Sequence, residues 1–414
     1  MVKNKFSFPD HNQNFWQLAS IQAASQGIVA ILVGENLVRQ HGSLVALTSI
    51  CIGNLLLWLI GLGVISMSAK NRQNLIQVVQ EYLGKSGGLS VVVILMSAFI
   101  FWYTIELQIT AKTLSPVLPS NLKPEFVGLG LGILISLISI GGIRLIKWIS
   151  VVSVPFIFSF IIYKLVIHGD FSLHGSWGIS FSGVILVASL TLPGTVNFPT
   201  FFRHSHSRAD SILALTLTIV CYIAFQSVSV FFVVNSPYDF LMGDFDLLGS
   251  VYGKAIPVLF VLTTLICLNL VNIYFASAGL EILCPKFPVA KGYLLIGLLG
   301  SFVFLIIKRM EWVLTAENIV NSFIINVGVV LLLSYFVKIF SGRKILQSGR
   351  TINYICWVIG CVSVVVAQNF YPGNSYRVFL SGVWATFLSF VFIFFVKEIA
   401  YNIRFIKFEA ESRE

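Results

Sequence analysis

Two side chains in one apolar segment are suited to binding a flat, polar ligand. Glu106 lies within FIFWYTIELQITAK, and Trp102 precedes it by four residues, so both lie on one face of a helix. A planar ligand can stack on the indole and form a hydrogen bond with the carboxyl group. The alternative interpretation is a glutamate that is satisfied by neighbouring helices.

A second segment, CLNLVNIYFAS, places two amides three residues apart. Asn269 and Asn272 therefore lie on nearly the same helical face. Asparagine supplies both a donor and an acceptor, which recognition of a heterocyclic amide edge requires. Hydrogen bonding between helices is the alternative explanation for this pair.

The composition determines where these helices must lie. Of the 414 residues, 57% are hydrophobic and 11% are charged, against roughly 45–50% and about 25% in soluble domains. Such a chain cannot hide its apolar surface from water. The composition excludes a cytosolic enzyme, a nucleic-acid-binding module and a disordered chain, and it predicts an all-α integral membrane protein.

Twelve transmembrane helices are predicted when each span is required to hold about 20 mostly apolar residues. The longest connection, 235–254, is too short for a soluble domain, so residues 1–414 form a single polytopic membrane domain. The predicted spans are 15–38, 43–69, 88–111, 126–142, 145–167, 179–201, 209–234, 255–280, 292–307, 315–337, 351–368 and 377–396.

The basic residues predict the orientation. With both termini cytoplasmic, 19 of the 27 Lys and Arg residues fall on the inner side, as the positive-inside rule requires. The net charge of +10 is therefore topological and calls for no nucleic-acid partner. The lipid bilayer is the expected partner, and the short termini suit a bacterial inner (plasma) membrane.

Two spans are interrupted near their middle. Gln22, Ser25, Gln26 and Gly27 interrupt the first span, and Leu192-Pro193-Gly194-Thr195 interrupts the sixth. Breaks inside a bilayer survive where they line a cavity, although a simple proline kink with a polar face is the alternative. The five-helix offset predicts inverted repeats over 15–167 and 179–337, with helices 11–12 at 351–396.

The remaining polar residues have simpler interpretations. Glu35 lies one turn before Arg39, which predicts an ion pair at the membrane interface. His204 and His206 fall in RHSHSR and are interpreted as a solvated basic loop, so no metal site is predicted. No catalytic or ATP-binding motif is present, and neither an enzyme nor a cofactor is expected.

Five segments together resemble the nucleobase–cation symporter family, near its cytosine permease branch, within the leucine-transporter-like superfamily. NFPTFFRH at 197–204 is similar to the family signature Asn-x-Pro-Asp-Phe-x-Arg-Tyr, with Thr200 and His204 as departures. The other segments are the Trp102–Glu106 spacing, IGNLLL in helix two, GGIRLIKWISVVSVP at 141–155 and VNIYFASAGL at 271–280. The resemblance covers about 15–340.

The resemblance implies a substrate site. Trp102 would stack on the base, Glu106 and Asn272 would form hydrogen bonds with it, and Gln26 and Gly27 would line the cavity. Leu192, near the helix-six break, is the sixth predicted substrate-binding residue. At this break the chain has Leu190 and Leu192, where the family has aromatic or small polar groups.

The family's sodium site uses carbonyls of the first helix, here Ala23 and Gln26, together with hydroxyls of helix eight. No Ser or Thr lies between Leu265 and Asn272, so Asn269 is the candidate oxygen donor. The intramembrane Glu106 makes a proton the rival coupling ion.

The predicted function is a secondary active transporter, a cation- or proton-coupled symporter. It would import a purine or pyrimidine base such as cytosine, or a related planar heterocycle, by alternating access, and is expected to be a monomer. The alternative is an amino-acid permease of the same superfamily, although a single glycine at the first break counts against it. A sensor or scaffold is the third hypothesis, and it lacks a soluble effector domain.

Overall fold

A computed structural model of the protein describes residues 13–69, 71–114, 119, 122–168, 173, 175–233, 251–307, 310–341 and 347–411. Within these ranges the chain forms thirteen helices, as the all-α prediction requires. In chain order they are α1 Phe15–His41, α2 Ser43–Ala69, α3 Leu75–Leu114, α4 Pro124–Ser139, α5 Gly142–His168, α6 Phe181–Val196, α7 Phe198–Phe202, α8 Arg208–Val233, α9 Val251–Leu283, α10 Val289–Ile306, α11 Met310–Ser341, α12 Gln347–Phe370 and α13 Ser375–Glu411.

The helices fit a membrane environment. In the described residues, 10 helical spans are long and apolar enough to cross a bilayer, and 11 if the two halves of α1 count as one. The short helix α4 falls at the predicted fourth span. Large apolar side chains point outward, among them Phe126, Val166 and Phe392. A helix satisfies its own backbone polar groups, and outward apolar side chains suit lipid. The chain is a multi-pass membrane protein.

Two groups of helices surround the centre of the molecule. In one group α1 packs on α8, and α2 packs on both α6 and α8. In the other group α3 packs on α9 and α10, and α10 packs on α4. Helices α11, α12 and α13 contact one another, and both α11 and α12 also pack on α3. The apolar core lies between these layers.

The first helix breaks at the predicted place. Its halves, Phe15–Gly27 and Val29–His41, are inclined by 59° to each other. The break in the sixth span lies later than predicted, because α6 continues through Pro193 to Val196 and the helix is interrupted at Asn197. Other helices and side-chain hydroxyls can satisfy the backbone groups that a proline frees inside a membrane bundle, so Pro193 does not end α6.

The third helix also differs from its predicted span of 88–111. It begins at Leu75 and includes a kink at Gly84, whose φ of 79° lies in the left-handed region that glycine tolerates. The first turns are less apolar than the rest, which is why a reading by hydropathy places the start of the span later.

Candidate functional site

A small cavity lies where the break in α1 meets α3, α6 and α9. It has a volume of about 40 Å³, and about 10–15 Å³ of such space holds one water molecule. The cavity in this conformation therefore has room for a few waters. Its lining residues are Gln22, Ser25, Gln26, Val29, Phe99, Trp102, Leu190, Pro193, Gly194, Leu268, Val271, Asn272 and Phe275.

Several amide groups at the cavity have no partner among the described residues. The Nε2 donor of Gln22 and the Oε1 acceptor of Gln26 are both buried and unpaired. On α9, Asn272 donates its Nδ2 to the Oδ1 of Asn269 at 3.3 Å, which leaves the Oδ1 of Asn272 available as an acceptor. Buried polar groups are normally satisfied. Donors and acceptors that lack partners at one cavity therefore suit a ligand that carries both.

Aromatic rings form the remaining walls. Trp102 of α3 is partly buried, whereas Phe99 of α3 and Phe275 of α9 are almost fully buried. The rings of Phe99 and Phe275 lie 4.7 Å apart between centroids with a tilt of 39°. Aromatic faces beside unpaired amides can hold a flat heterocycle by stacking and hydrogen bonding together.

The structure brings three of the six predicted substrate-binding residues to this cavity: Gln26, Trp102 and Asn272. Glu106 is buried one turn along α3 and lies outside the lining, with no hydrogen bond or ion pair among the described residues. The missing Cβ of Gly27 would face Thr264 and Ile157 rather than the cavity. Leu192 lies in the apolar core. The roles of these residues stay predictions.

The predicted cation residues are distributed differently. Ala23 packs in an apolar cluster with Ile157 and Cys267, and Gln26 lies at the cavity. Asn269 is fully buried, and its Oδ1 already accepts from Asn272. The Oγ1 of Thr264 is bonded to carbonyls of its own helix. Of these three side-chain oxygens, that of Gln26 is unpaired among the described residues, whereas those of Asn269 and Thr264 already form hydrogen bonds.

One acidic residue near the site was not singled out by the sequence. Glu317 of α11 is buried, and its Oε1 accepts a hydrogen bond from Asn321. Asn321 in turn accepts from the indole Nε1 of Trp102 at 3.4 Å. The available signal was an acidic residue inside the predicted span 315–337, although its place near the end of that span suggests an ordinary interfacial charge.

The Glu35–Arg39 ion pair predicted at the end of α1 is confirmed, with Nη2 of Arg39 2.5 Å from Oε1 of Glu35. This pair explains why a carboxylate is tolerated there.

The prediction of a solvated loop after α7 is wrong for two of its residues. His204 is buried, and its Nε2 lies 2.6 Å from the hydroxyl of Tyr274. Arg203 contacts Glu281 at 3.3 Å and donates to the same Tyr274 hydroxyl at 3.2 Å. His206 is exposed, as predicted. Polar residues at this helix end are therefore tied to α9 instead of extending into water.

The charge of Arg203 follows from these contacts. Burial alone would lower its pKa, but Tyr274 and Glu281 outweigh burial and raise the pKa above its ordinary value. The guanidinium is therefore charged at every working pH.

Comparisons with known proteins identify the fold. No family model matches the chain, and no curated protein matches it. The solved structures that it resembles include Mhp1, a nucleobase-cation-symport-1 family transporter in a closed conformation with bromovinylhydantoin bound. That likeness has 15% identity and a TM-score of 0.67, and it covers 95% of this chain and 94% of the other.

Two further likenesses come from other transporters. A Na⁺-coupled sialic acid symporter matches at 13% identity and a TM-score of 0.67, over 94% of this chain and 91% of that one. A manganese transporter of Eremococcus coleocola matches at 12% identity and a TM-score of 0.57, over 94% and 96%. The chain shares the fold of these transporters, and the predicted all-α membrane class is confirmed. The twelve-helix count and the inverted repeats stay predictions.

Proposed function

We propose that the protein is a secondary active transporter of the nucleobase–cation symporter family, which imports a nucleobase or a related planar heterocycle. The cavity carries this proposal, since Trp102 offers a stacking surface and Gln22, Gln26 and Asn272 offer amide groups for hydrogen bonds. The fold supports transport, and the resemblance to Mhp1, solved with bromovinylhydantoin bound, supports the substrate class.

The transport mechanism in this proposal is alternating access. Ligand pockets typically have volumes of about 300–1,000 Å³, far above the 40 Å³ of the cavity here. A bound base therefore requires that the group containing α1, α2, α6 and α8 separate from α3, α4, α9 and α10. Such a movement opens the cavity toward one side of the membrane at a time.

The proposed architecture has twelve transmembrane helices, with inverted repeats formed by α1–α5 and α6–α11. In this scheme α6 and α7 together match α1, and α8, α9, α10 and α11 match α2, α3, α4 and α5. The helix contacts support this scheme. If each helix is replaced by its match in the other repeat, the contact between α1 and α8 becomes the contact between α6 and α2, and both contacts are present. The same exchange turns α5–α9 into α11–α3.

The coupling ion in the proposal is sodium or a proton. Ala23, Gln26 and Asn269 are the candidate sodium residues. The side-chain oxygen of Gln26 is unpaired, and that of Asn269 accepts from Asn272. Glu106 is the candidate proton carrier, since a buried carboxyl group in a membrane marks a functional site by default. The protein is proposed to act as a monomer in a bacterial inner membrane, with both termini cytoplasmic.

Uptake into proteoliposomes tests the proposal. Radiolabelled cytosine, uracil, adenine, guanine and hypoxanthine are each supplied with an inward sodium gradient and, separately, with an inward proton gradient. Accumulation of one base under one gradient is expected. If folded, inserted protein accumulates no base under either gradient, the proposed substrate class is wrong. Competition by free amino acids would instead favour the amino-acid permease.

A further inference from the structure

The indole N–H of Trp102 points away from the cavity that its ring lines. It donates to the Oδ1 of Asn321 on α11 at 3.4 Å. Asn321 is buried and is not part of the cavity lining. Thus α11, which contributes no residue to the cavity lining, binds the tryptophan that forms this wall.

The orientation of Asn321 is determined by Glu317. These residues are four apart on α11, so they lie on the same face, and the Nδ2 of Asn321 donates to the Oε1 of Glu317. An amide has one donor end and one acceptor end. Because its donor end is bound to the carboxyl group, its acceptor end must face Trp102. The three residues form a directed series, from indole N–H to amide to carboxyl group.

The surroundings make this series effective. Glu317 and Asn321 are both buried among apolar helices. A hydrogen-bond donor that loses its acceptor in an apolar environment costs free energy. The bond to Asn321 therefore favours this orientation of the indole. Either protonation state of the carboxyl group offers an oxygen that accepts from the amide.

We propose that Glu317 is a positioning residue that acts through Asn321 to hold the Trp102 ring in the plane on which the ligand stacks. Glu317 does not touch the ligand. Only the ligand's identity rests on the proposed function, because the orientation of the ring can be measured without any ligand.

The first test uses protein labelled with 5-fluorotryptophan and ¹⁹F NMR. The chain has 8 tryptophans, and Trp102→Phe assigns the Trp102 resonance by its disappearance. In ligand-free protein, Glu317→Leu and Asn321→Leu are expected to shift this resonance. Glu317→Gln keeps an oxygen that accepts from Asn321, so a much smaller shift is expected.

Ser322→Ala is the matched control for these variants. Ser322 is buried on the same turn of α11, and its hydroxyl donates to the carbonyl of Asn318 in its own helix. The Trp102 resonance should stay in place in this variant. An unmoved resonance in Glu317→Leu would overturn the proposal, as would equal shifts in Glu317→Leu and Glu317→Gln.

The second test measures binding of the base that uptake identifies. Glu317→Leu should raise its Kd about tenfold, the equivalent of one hydrogen bond, and Glu317→Gln should change it far less. An unchanged Kd in Glu317→Leu contradicts the positioning role. If no base binds the unaltered protein while the resonance shift is present, the substrate proposal fails and the positioning role holds.

Discussion

Trp102 joins two sets of contacts. Its ring forms one wall of the cavity, and its N–H reaches α11. Stacking of a base on an aromatic ring is worth about 1–3 kcal/mol, which is comparable to the hydrogen bonds that Gln22, Gln26 and Asn272 can offer. The tryptophan therefore carries much of the proposed affinity, and the amides select which heterocycle is bound.

Replacing Trp102 by leucine should weaken base binding about tenfold or more, because the stacking surface is lost. Trp102→Phe keeps an aromatic face and should lose less. Calorimetry on purified protein measures both Kd values. Trp384, exposed on α13, provides the control Trp384→Leu, which should bind as the unaltered protein does. Equal affinity in Trp102→Leu would remove the indole from the site.

Glu106→Gln tests the proton hypothesis. If Glu106 carries the coupling proton, uptake by the unaltered protein falls as the external pH rises, because fewer carboxyl groups are protonated. Glutamine cannot titrate, so this variant should still bind the base but show a flat pH profile. Uptake between about pH 5 and 8 in proteoliposomes measures the slope.

Glu125→Gln, at an exposed position in the first turn of α4, is the matched control and should keep the slope. An unchanged slope in Glu106→Gln would exclude this residue from coupling and direct attention to sodium.

The sequence predicts the residues that converge on the cavity better than it predicts their exact faces. Gln26 and Asn272 could be found because polar residues in apolar spans are costly and therefore conspicuous. Trp102 could be found because it lies four residues before Glu106. Leu190 lines the cavity and Leu192 does not, since two residues along a helix differ by about 200° in direction. The partnership of Glu317 with Trp102 depends on tertiary packing, which spacing along the chain cannot reveal.

At the level of helices, the contact between α1 and α8 is set by the absence of a side chain. A Cβ on Gly34 would overlap the carbonyl oxygen of Gln226 and the hydroxyl of Ser229. The backbones of the two helices therefore approach closely, as helices in membranes do at small residues.

Gly34→Ala should force these helices apart and lower the unfolding temperature or the yield of folded protein in detergent. Overpacking of this kind typically costs about 1–3 kcal/mol. Thermal unfolding followed by size-exclusion chromatography measures the change.

Gly130→Ala is the matched control, because nothing lies within 4 Å of a Cβ at that position of α4. Alanine is favoured over glycine in a helix by about 1 kcal/mol, so this variant should be as stable as the unaltered protein or more so. The same loss of stability in both variants would show that close packing is not the reason for Gly34.

Tyr274 connects α9 to the segment after α7 through its hydroxyl, which contacts both Arg203 and His204. Tyr274→Phe removes one hydrogen bond from each of these two groups. The expected cost in stability is about 1–3 kcal/mol, measurable as a lower unfolding temperature. Tyr371→Phe, at an exposed site, should have no such effect. If both variants unfold alike, the hydroxyl contributes nothing to this connection.

Hydropathy predicts the elements well where they cross the apolar interior and less well at their ends. The bend in α1 could be placed because Gln22, Ser25, Gln26 and Gly27 interrupt the apolar run together. Pro193 suggested a break that the helix does not have there, since backbone groups freed by proline find partners within a bundle. The interruption at Asn197 is visible as a backbone conformation and leaves little trace in composition.

At the scale of the whole molecule, orientation would decide the direction of the proposed transport, and the basic residues are the argument for it. The excess of Lys and Arg predicts that the α9–α10 connection lies inside and the α12–α13 connection outside. Each connection offers a labelling position at the surface. Cys284 is exposed at the end of α9, and Ser375 is exposed at the start of α13.

A membrane-impermeant maleimide applied to intact cells should therefore label Ser375→Cys and leave Cys284 unlabelled until the membrane is permeabilised. Two proteins are compared, one that keeps Cys284 and one that carries Ser375→Cys. Cys51 and Cys361 are replaced by alanine in both, and Cys284 is also replaced in the Ser375→Cys protein. The buried Cys221, Cys267 and Cys356 serve as internal controls that stay unlabelled. The opposite labelling pattern would show that the chain crosses the membrane in the inverse orientation. The side now assigned to the cytoplasm would then face outward, and substrate would enter from that side. Labelling of both positions in intact cells would place both connections on the outer side. Because α10, α11 and α12 would each cross the membrane once between these connections, this result would contradict the proposed topology.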